Sequence, residues 1–183
     1  MGRSTVFVSL SAITAVLVTV AGITASPKES PETPISAELI SRAEATQIAL
    51  AALKECAARG QPASVIVSDS AGHMRAAFSD DNAKVIGIGS SNTKMNSVVD
   101  FKMSTRALQL RAQTDKDFAD KYGKDERYHF SPGGLPIYKN GQFVAVIAVG
   151  GARDIDEECA LAALKTLSWA STAASGQPPA QKK

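Results

Sequence analysis

One segment of the chain, Ser131–Gly151, strongly predicts a β-hairpin. Two apolar runs, Leu135–Tyr138 and Phe143–Val149, lie on either side of a short polar stretch that contains Asn140-Gly141. Asn-Gly is a preferred pair for a two-residue turn in which both residues have positive φ. The second run contains no polar residue, so both of its faces are expected to be covered. The segment therefore predicts a buried hairpin with helices, or another subunit, on both sides.

The rest of the chain predicts alternating helices and strands. The predicted elements are, in order, a helix capped by Ser36 and ended by Gly60, strands at Ala63–Ser68 and His73–Phe78, a helix over Ala83–Phe101, a polar helix within Ser104–Tyr122, the hairpin, and a helix over Ile155–Trp169. Glycine at 87 and 89 weakens the second helix, and we still expect a helix whose small residues allow close backbone contact. This order indicates an α+β domain built on an antiparallel sheet.

The first 25 residues predict export. Arg3 precedes an apolar run from Val6 to Val20, and small residues follow as far as Ala25. A positively charged start, an apolar middle and small residues at the end are typical of a secretory signal peptide. We expect cleavage after Ala25. The alternative is an uncleaved membrane anchor, but the run is short for a bilayer core about 30 Å thick. We therefore expect a secreted or periplasmic protein with no stable membrane span after processing.

Composition indicates one globular domain with extensions. The chain has 183 residues, of which 44% are hydrophobic and 21% are charged. Its net charge of +2 gives no reason to expect nucleic acid as a partner. Three prolines in residues 26–34 predict a linker, residues 35–170 form the expected domain, and residues 171–183 are expected to be a disordered tail.

The two cysteines, Cys56 and Cys159, lie in the first and last predicted helices. Export makes a disulfide chemically accessible. If the two helices pack side by side, a bridge would close a loop of 103 residues. Two separate buried thiols are the alternative, because the sequence gives no distance between them.

Three stretches of the chain carry recognisable motifs. They are Asp69-Ser70-Ala71-Gly72, then Lys94 followed by Phe101 and Ser104-Thr105, and finally Pro132–Ile137 with Asn140-Gly141, Val149–Ala152 and Asp156–Ala160. In these stretches the chain resembles the GlcG/HbpS-like heme-binding family (the DUF336 domain). The last set is the specific one, and the resemblance covers the chain from about Ser36 to Leu167. The chain departs from the family pattern at Met95, which replaces an alanine, and at Ser97, which replaces a threonine.

The resemblance implies a profilin-like fold with a central antiparallel sheet between helices, assembled into dimers or larger oligomers. Some members of the family bind heme, and exported members take part in heme or iron sensing. Heme is therefore the implied cofactor, and a homo-oligomer is the implied assembly.

His129 is the candidate ligand for heme iron. It lies just before the glycine-rich turn, and an imidazole either ligates heme iron or acts as an acid or base near neutral pH. The alternative is a surface histidine in a loop, because the chain has only two histidines and no metal-ligand spacing. The other histidine, His73, is more simply interpreted as a surface residue at the start of a strand.

Lys94 is the candidate cation of the site, since it would pair with a heme propionate or a substrate carboxylate. The alternative is a solvated lysine on a helix face. Arg106 has the same two interpretations.

Gly133 and Gly134 would present backbone N–H groups to an anion, or would serve turn geometry alone. Asp69 is expected to be a turn residue, and Asp156 and Glu157 are expected to be acids at a helix start.

Two hypotheses of function follow. The first is an exported small-ligand-binding protein, with heme as the leading ligand and a role in heme binding or heme and iron sensing. The second is a cofactor-independent enzyme of the isomerase or cyclase type that acts on a small organic acid or carbonyl compound. It requires Lys94 and His129 to converge within about 8 Å as acid and base partners. A structural oligomeric module without a ligand is a third interpretation.

Overall fold

The computed structural model describes Gly2 and residues 40–173. The predicted signal peptide, the linker and the cap at Ser36 lie outside the described residues. The helices and strands are, in order, α1 (Arg42–Ala58), β1 (Ser64–Asp69), β2 (Met74–Ser79), α2 (Ile86–Phe101), α3 (Thr105–Thr114), α4 (Lys116–Tyr122), β3 (Gly134–Lys139), β4 (Gln142–Gly150), α5 (Asp156–Leu164) and β5 (Ser171–Thr172).

The predicted hairpin is formed by β3 and β4. Asn140 and Gly141 have φ values of 52° and 80°, as a two-residue turn of this kind requires. The five strands have the order β2-β1-β4-β3-β5, and every neighbouring pair is antiparallel. The hairpin's second strand is therefore central, with Ile147 paired to Leu135 on one side and to Val67 on the other.

Helices cover both faces of the sheet, which confirms the predicted α+β architecture. On one face, α1 and α5 pack against side chains that include Val65, Ile137 and Ile147. On the other face, α2 supplies Met95 and Val98, which pack against three sheet residues. These three are Ile66, Val146 and Ala148. The apolar run of β4 is thus divided between two cores, which explains why it contains no polar residue.

A disulfide joins the two helices on the first face. Cys56 of α1 and Cys159 of α5 are bonded, with their Cα atoms 5.5 Å apart, and both cysteines are fully buried. The structure thereby decides between the two alternatives that the sequence left open.

Three of the differences between the predicted and the observed element ends have clear causes in side-chain contacts. Helix α1 begins after Ser41, whose side chain accepts from the Glu44 N–H while Glu44 accepts from the Ser41 N–H. The predicted polar helix is divided into α3 and α4, because Asp115 caps a new helix by accepting from the Phe118 N–H. Helix α5 ends at Leu164, and the chain then turns so that the Trp169 indole donates to Glu44.

Two residues that the sequence assigned to a disordered tail form a strand, and residues 174–183 lie outside the described residues. Ser171 and Thr172 form β5, which pairs with Tyr138 and Ile137 at the edge of the sheet. The Thr172 hydroxyl also donates to the Pro136 carbonyl at 2.7 Å. Within residues 40–173, no helix combines the length and apolar character that a membrane crossing requires.

Candidate functional site

Lys94 is a buried cation that connects four segments. It lies on the face of α2 that meets the sheet, and only 1% of its side chain is exposed. Its Nζ donates to the carbonyls of Pro132 at 2.9 Å and Val149 at 3.0 Å, and to Asp156 Oδ2 at 2.7 Å. These contacts tie α2 to the loop before β3, to the end of β4 and to the start of α5.

Lys94 and Asp156 form a charged pair. Burial lowers the pKa of Lys94, and the Asp156 carboxylate opposes that shift. Burial likewise raises the pKa of Asp156, opposed by Lys94. The three acceptors around Nζ need three hydrogens, which only the ammonium form carries. Asp156 Oδ1 also accepts from the Ala152 N–H at 2.8 Å, which favours the carboxylate.

This arrangement corrects the predicted role of Lys94. All three of its N–H groups donate within the protein, so none is left for a heme propionate or a substrate carboxylate. The same saturation argues against Lys94 as the acid or base of an enzyme. In this structure the charge of Lys94 therefore holds four segments of the protein together.

The positive charge of Arg106 is also paired within the protein. Its guanidinium pairs with the buried carboxylate of Glu157, at the start of α5. Arg106 lies outside the wall of the cavity described below. The two acids expected at the helix start thus each hold one of the predicted cations, Asp156 holding Lys94 and Glu157 holding Arg106.

The glycine before β3 and the first residue of β3, Gly133 and Gly134, serve close packing. Gly133 has φ of +134°, and a Cβ there would lie 2.8 Å from Lys94 Nζ and 2.6 Å from the Val149 carbonyl oxygen. The Gly134 N–H donates to Thr105 Oγ1 at 2.9 Å and is not free to bind an anion. The turn-geometry alternative is therefore the better account of this pair.

A cavity of about 620 Å³ adjoins the Lys94–Asp156 pair. Three segments form its wall: residues 84–94 at the start of α2, residues 129–131 before β3, and residues 151–156 between β4 and α5. His129 and Lys94 both line this cavity, so the structure brings together these two predicted site residues. His73 lies elsewhere, on the turn after β1, where its Nδ1 is 3.0 Å from Asp69 Oδ2.

The backbone of His129 is fixed to α2. Its N–H donates to Ser97 Oγ at 2.9 Å, and the Ser97 hydroxyl donates to the Thr93 carbonyl at 2.8 Å. The imidazole is partly open to solvent and forms no hydrogen bond with another residue in the part of the chain that the structure describes. Partial burial lowers the pKa of His129, and the positive charge of Lys94 lowers it further. The lowered pKa favours the neutral ring, which has a nitrogen lone pair for a metal.

The cavity wall also carries two cations that the sequence did not single out, Lys84 and Arg153. Both are exposed, and neither forms an ion pair within the described range. Arg153 has φ of 58°, a left-handed conformation that is uncommon outside glycine. In the sequence, Lys84 and Arg153 resemble many other surface charges, so only the fold shows that they share a site.

The sheet between helical layers and the histidine-lined cavity define a small α+β domain with room for one ligand. The chain belongs to the HbpS-like family, whose model, described as "Haem degrading protein HbpS-like", matches residues 40–165. This match confirms the resemblance found in the sequence. A search of curated protein sequences finds no match.

Solved structures agree with this assignment. HbpS is 27% identical, the match covers 73% of this chain and 93% of that chain, and the TM-score is 0.65. ORFY of Klebsiella pneumoniae is 24% identical over 71% of this chain and 91% of that chain, with a TM-score of 0.65. PduOC, solved as a heme complex, is 15% identical over 73% of this chain and 98% of that chain, with a TM-score of 0.66. At their lower identities, the last two structures show a shared fold only.

Proposed function

We propose that this protein binds heme in the cavity beside the Lys94–Asp156 pair, with His129 as the iron ligand. The observation that carries the proposal is a solvent-accessible imidazole of lowered pKa in the wall of a cavity of about 620 Å³. This volume falls in the range of about 300–1,000 Å³ that is usual for ligand sites. The family description and the heme complex of PduOC, which has the same fold, support the proposal.

The wall has the chemistry that a heme requires. The apolar side chain of Ile86 is 73% exposed and lines the cavity, where it can cover part of the porphyrin plane. Gly89 lines the same wall, and a Cβ built there would meet no atom within 4 Å, so this side of α2 is open. No cluster of three metal-ligating side chains occurs among the described residues. A bare metal ion would therefore lack ligands among these residues. Heme brings its own ring nitrogens, so its iron needs only axial ligands from the protein.

The chain's own residues supply the binding part of the function. His129 would hold the iron, Ser97 fixes the backbone of His129, and the Lys94–Asp156 pair fixes the loop that carries it. Bound heme would supply the redox and ligand-binding chemistry of its iron.

Titration with hemin tests the proposal. We expect the mature protein to show a saturable shift of the Soret band at micromolar hemin, and His129→Ala to weaken binding at least about tenfold because the axial ligand is lost. Because the pKa of His129 is below the ordinary 6.5, binding should persist as the pH falls below that value. His73→Ala removes the other histidine, outside the cavity, and should leave the titration unchanged.

A second variant tests the position of the ligand without touching the iron ligand. Gly89→Leu places a side chain in the open space of the cavity wall and should weaken hemin binding while the fold is kept. Gly89→Ala is the matched control, since alanine favours a helix over glycine by about 1 kcal/mol and adds little volume. Unchanged hemin affinity in both His129→Ala and Gly89→Leu would contradict binding at this cavity.

We further propose that the protein acts outside the cytoplasm. The amino-terminal sequence has the layout of a signal peptide, and the domain contains a buried disulfide between Cys56 and Cys159. Disulfides persist in oxidising compartments and are rare in the cytosol, so the bridge and the predicted signal favour the same location.

A homo-oligomer is the assembly that we propose. Several large apolar side chains are exposed on the protomer, and Val85 and Ile86 are adjacent and are the most exposed of them. Met74 and Phe78 lie exposed on β2, which is the edge strand of the sheet. Exposed apolar side chains of this kind mark surfaces for contact with another protein.

One preparation tests location and assembly together. When the full chain is expressed with its leader in a host that exports proteins, we expect the protein outside the cytoplasm to begin at Ser26 by mass spectrometry. Light scattering on the same material should give a multiple of the protomer mass. An intact leader, or retention in the cytoplasm, would contradict export, and a monomer at micromolar concentration would contradict the assembly.

A further inference from the structure

A heme has two carboxylates. The two cations that the sequence indicated for them, Lys94 and Arg106, are paired with carboxylates of the protein itself. The Lys94 ammonium donates to two carbonyls and to Asp156, and Arg106 pairs with Glu157 outside the cavity. If heme binds here, its carboxylates therefore need other partners. A carboxylate at a protein surface is held best by the donors of a nearby lysine or arginine.

Lys84 and Arg153 meet this requirement. Both line the cavity, both are exposed, and neither has an acidic partner among residues 40–173. They come from different parts of the wall, since Lys84 precedes α2 and Arg153 lies in the short turn between β4 and α5. Two cations on separate segments suit a ligand with two separate carboxylates.

The charge of the wall favours an anionic ligand. Lys94 and Asp156 neutralise each other at the base of the cavity. The charged side chains that remain in the wall are Lys84 and Arg153, opposed by Asp154 alone. Arg153 also keeps a left-handed backbone, with φ of 58°, which is unfavourable for a residue other than glycine. Strain of this kind often marks a residue that is held for a ligand.

We propose that Lys84 and Arg153 bind the two carboxylates of heme at the rim of the cavity. This inference rests on the proposed function and adds to it the part of the site that recognises the anionic edge of the ligand. Lys84 acts as a point charge, and Arg153 can engage one carboxylate with two parallel N–H groups.

The experiment compares hemin with hemin dimethyl ester, in which both carboxylates are neutral. Lys84→Gln and Arg153→Gln should each weaken hemin binding about twofold to fivefold, as expected for exposed charge pairs, and the double variant should weaken it further. The same variants should bind the dimethyl ester within about twofold of the parent protein. Added salt should weaken the binding of hemin more than that of the ester.

Lys165→Gln is the matched control, because it removes one positive charge from an exposed lysine after α5 that does not line this cavity. It should bind hemin like the parent. Circular dichroism and the Soret position report whether the fold and the axial ligand are kept in each variant.

The outcomes separate the two proposals. A normal Soret band with unchanged hemin affinity in the double variant overturns the role of Lys84 and Arg153 and leaves heme binding standing. An equal loss for hemin and for its ester also overturns that role, because the effect then does not pass through the carboxylates. Absence of saturable binding by the parent protein overturns heme binding and, with it, this inference.

Discussion

Lys94→Met is expected to lower the free energy of unfolding by about 3–5 kcal/mol, because it leaves the buried Asp156 carboxylate without its partner. The substitution keeps most of the side-chain volume, so the loss comes from the charge and the three hydrogen bonds. Urea denaturation followed by circular dichroism measures the change. A loss below about 1 kcal/mol would contradict a buried ion pair at this position, since that is the effect typical of an exposed pair.

Three further variants assign this effect to the pair: Lys116→Met, Asp156→Leu, and Lys94→Met combined with Asp156→Leu. Lys116→Met removes a lysine from an exposed ion pair with Asp120 and should cost at most about 1 kcal/mol. Lys94→Met combined with Asp156→Leu removes both charges, and the double variant should be more stable than the sum of the single losses predicts. Strict additivity would indicate that Lys94 and Asp156 do not act together.

Lys94→Met should also change the titration of His129, although the substitution is at another residue. The positive charge of Lys94 lowers the pKa of His129, and the Asp156 carboxylate raises it. Removing the lysine therefore shifts the pKa of His129 upward, and NMR of the imidazole protons measures the shift. A rearrangement that exposes the imidazole would also raise this pKa, because burial is the largest cause of its lowering. The shift therefore reports the electrostatic link when the NMR signals of the neighbouring residues stay unchanged.

The hairpin could be predicted from the sequence because its signals are local. Asn140-Gly141 specifies the turn, and the apolar run after it specifies a strand that is covered on both faces. The division between α3 and α4 also has a local signal, since Asp115 can cap a helix. Local rules therefore gave most of the fold, and errors fell at element ends, where contacts such as that of Trp169 with Glu44 decide the boundary.

The chemistry of the site could be predicted only in part, because it depends on distances between remote segments. The sequence indicated His129 and Lys94, yet the partners of Lys94 lie 38, 55 and 62 residues away along the chain. Nothing near Lys94 in the sequence shows that its donors are occupied. Lys84 and Arg153 have no distinguishing neighbours, and only the folded chain places them in one cavity wall.

Removing the disulfide is expected to have an effect of similar size on stability. Cys56 and Cys159 are separated by 103 residues, and the loop-entropy model gives about 4–5 kcal/mol for a cross-link that closes a loop of this length. The Cα separation of 5.5 Å is usual for a disulfide. We expect Cys56→Ala with Cys159→Ala to lose about this much free energy of unfolding in urea denaturation.

Reduced parent protein is the control that separates the cross-link from the packing. The reduced protein keeps both sulfur atoms in the core. A loss of unfolding free energy that it shares with the double variant therefore comes from the missing cross-link. Any additional loss in the double variant comes from the side-chain volume removed. Thiol titration of the unfolded parent should find no free thiol before reduction and two afterwards, since the chain has two cysteines. Two free thiols before reduction, in protein recovered from an oxidising compartment, would contradict the bridge. The stability of the domain would then have to come from the two cores and the Lys94–Asp156 pair without a covalent link between α1 and α5.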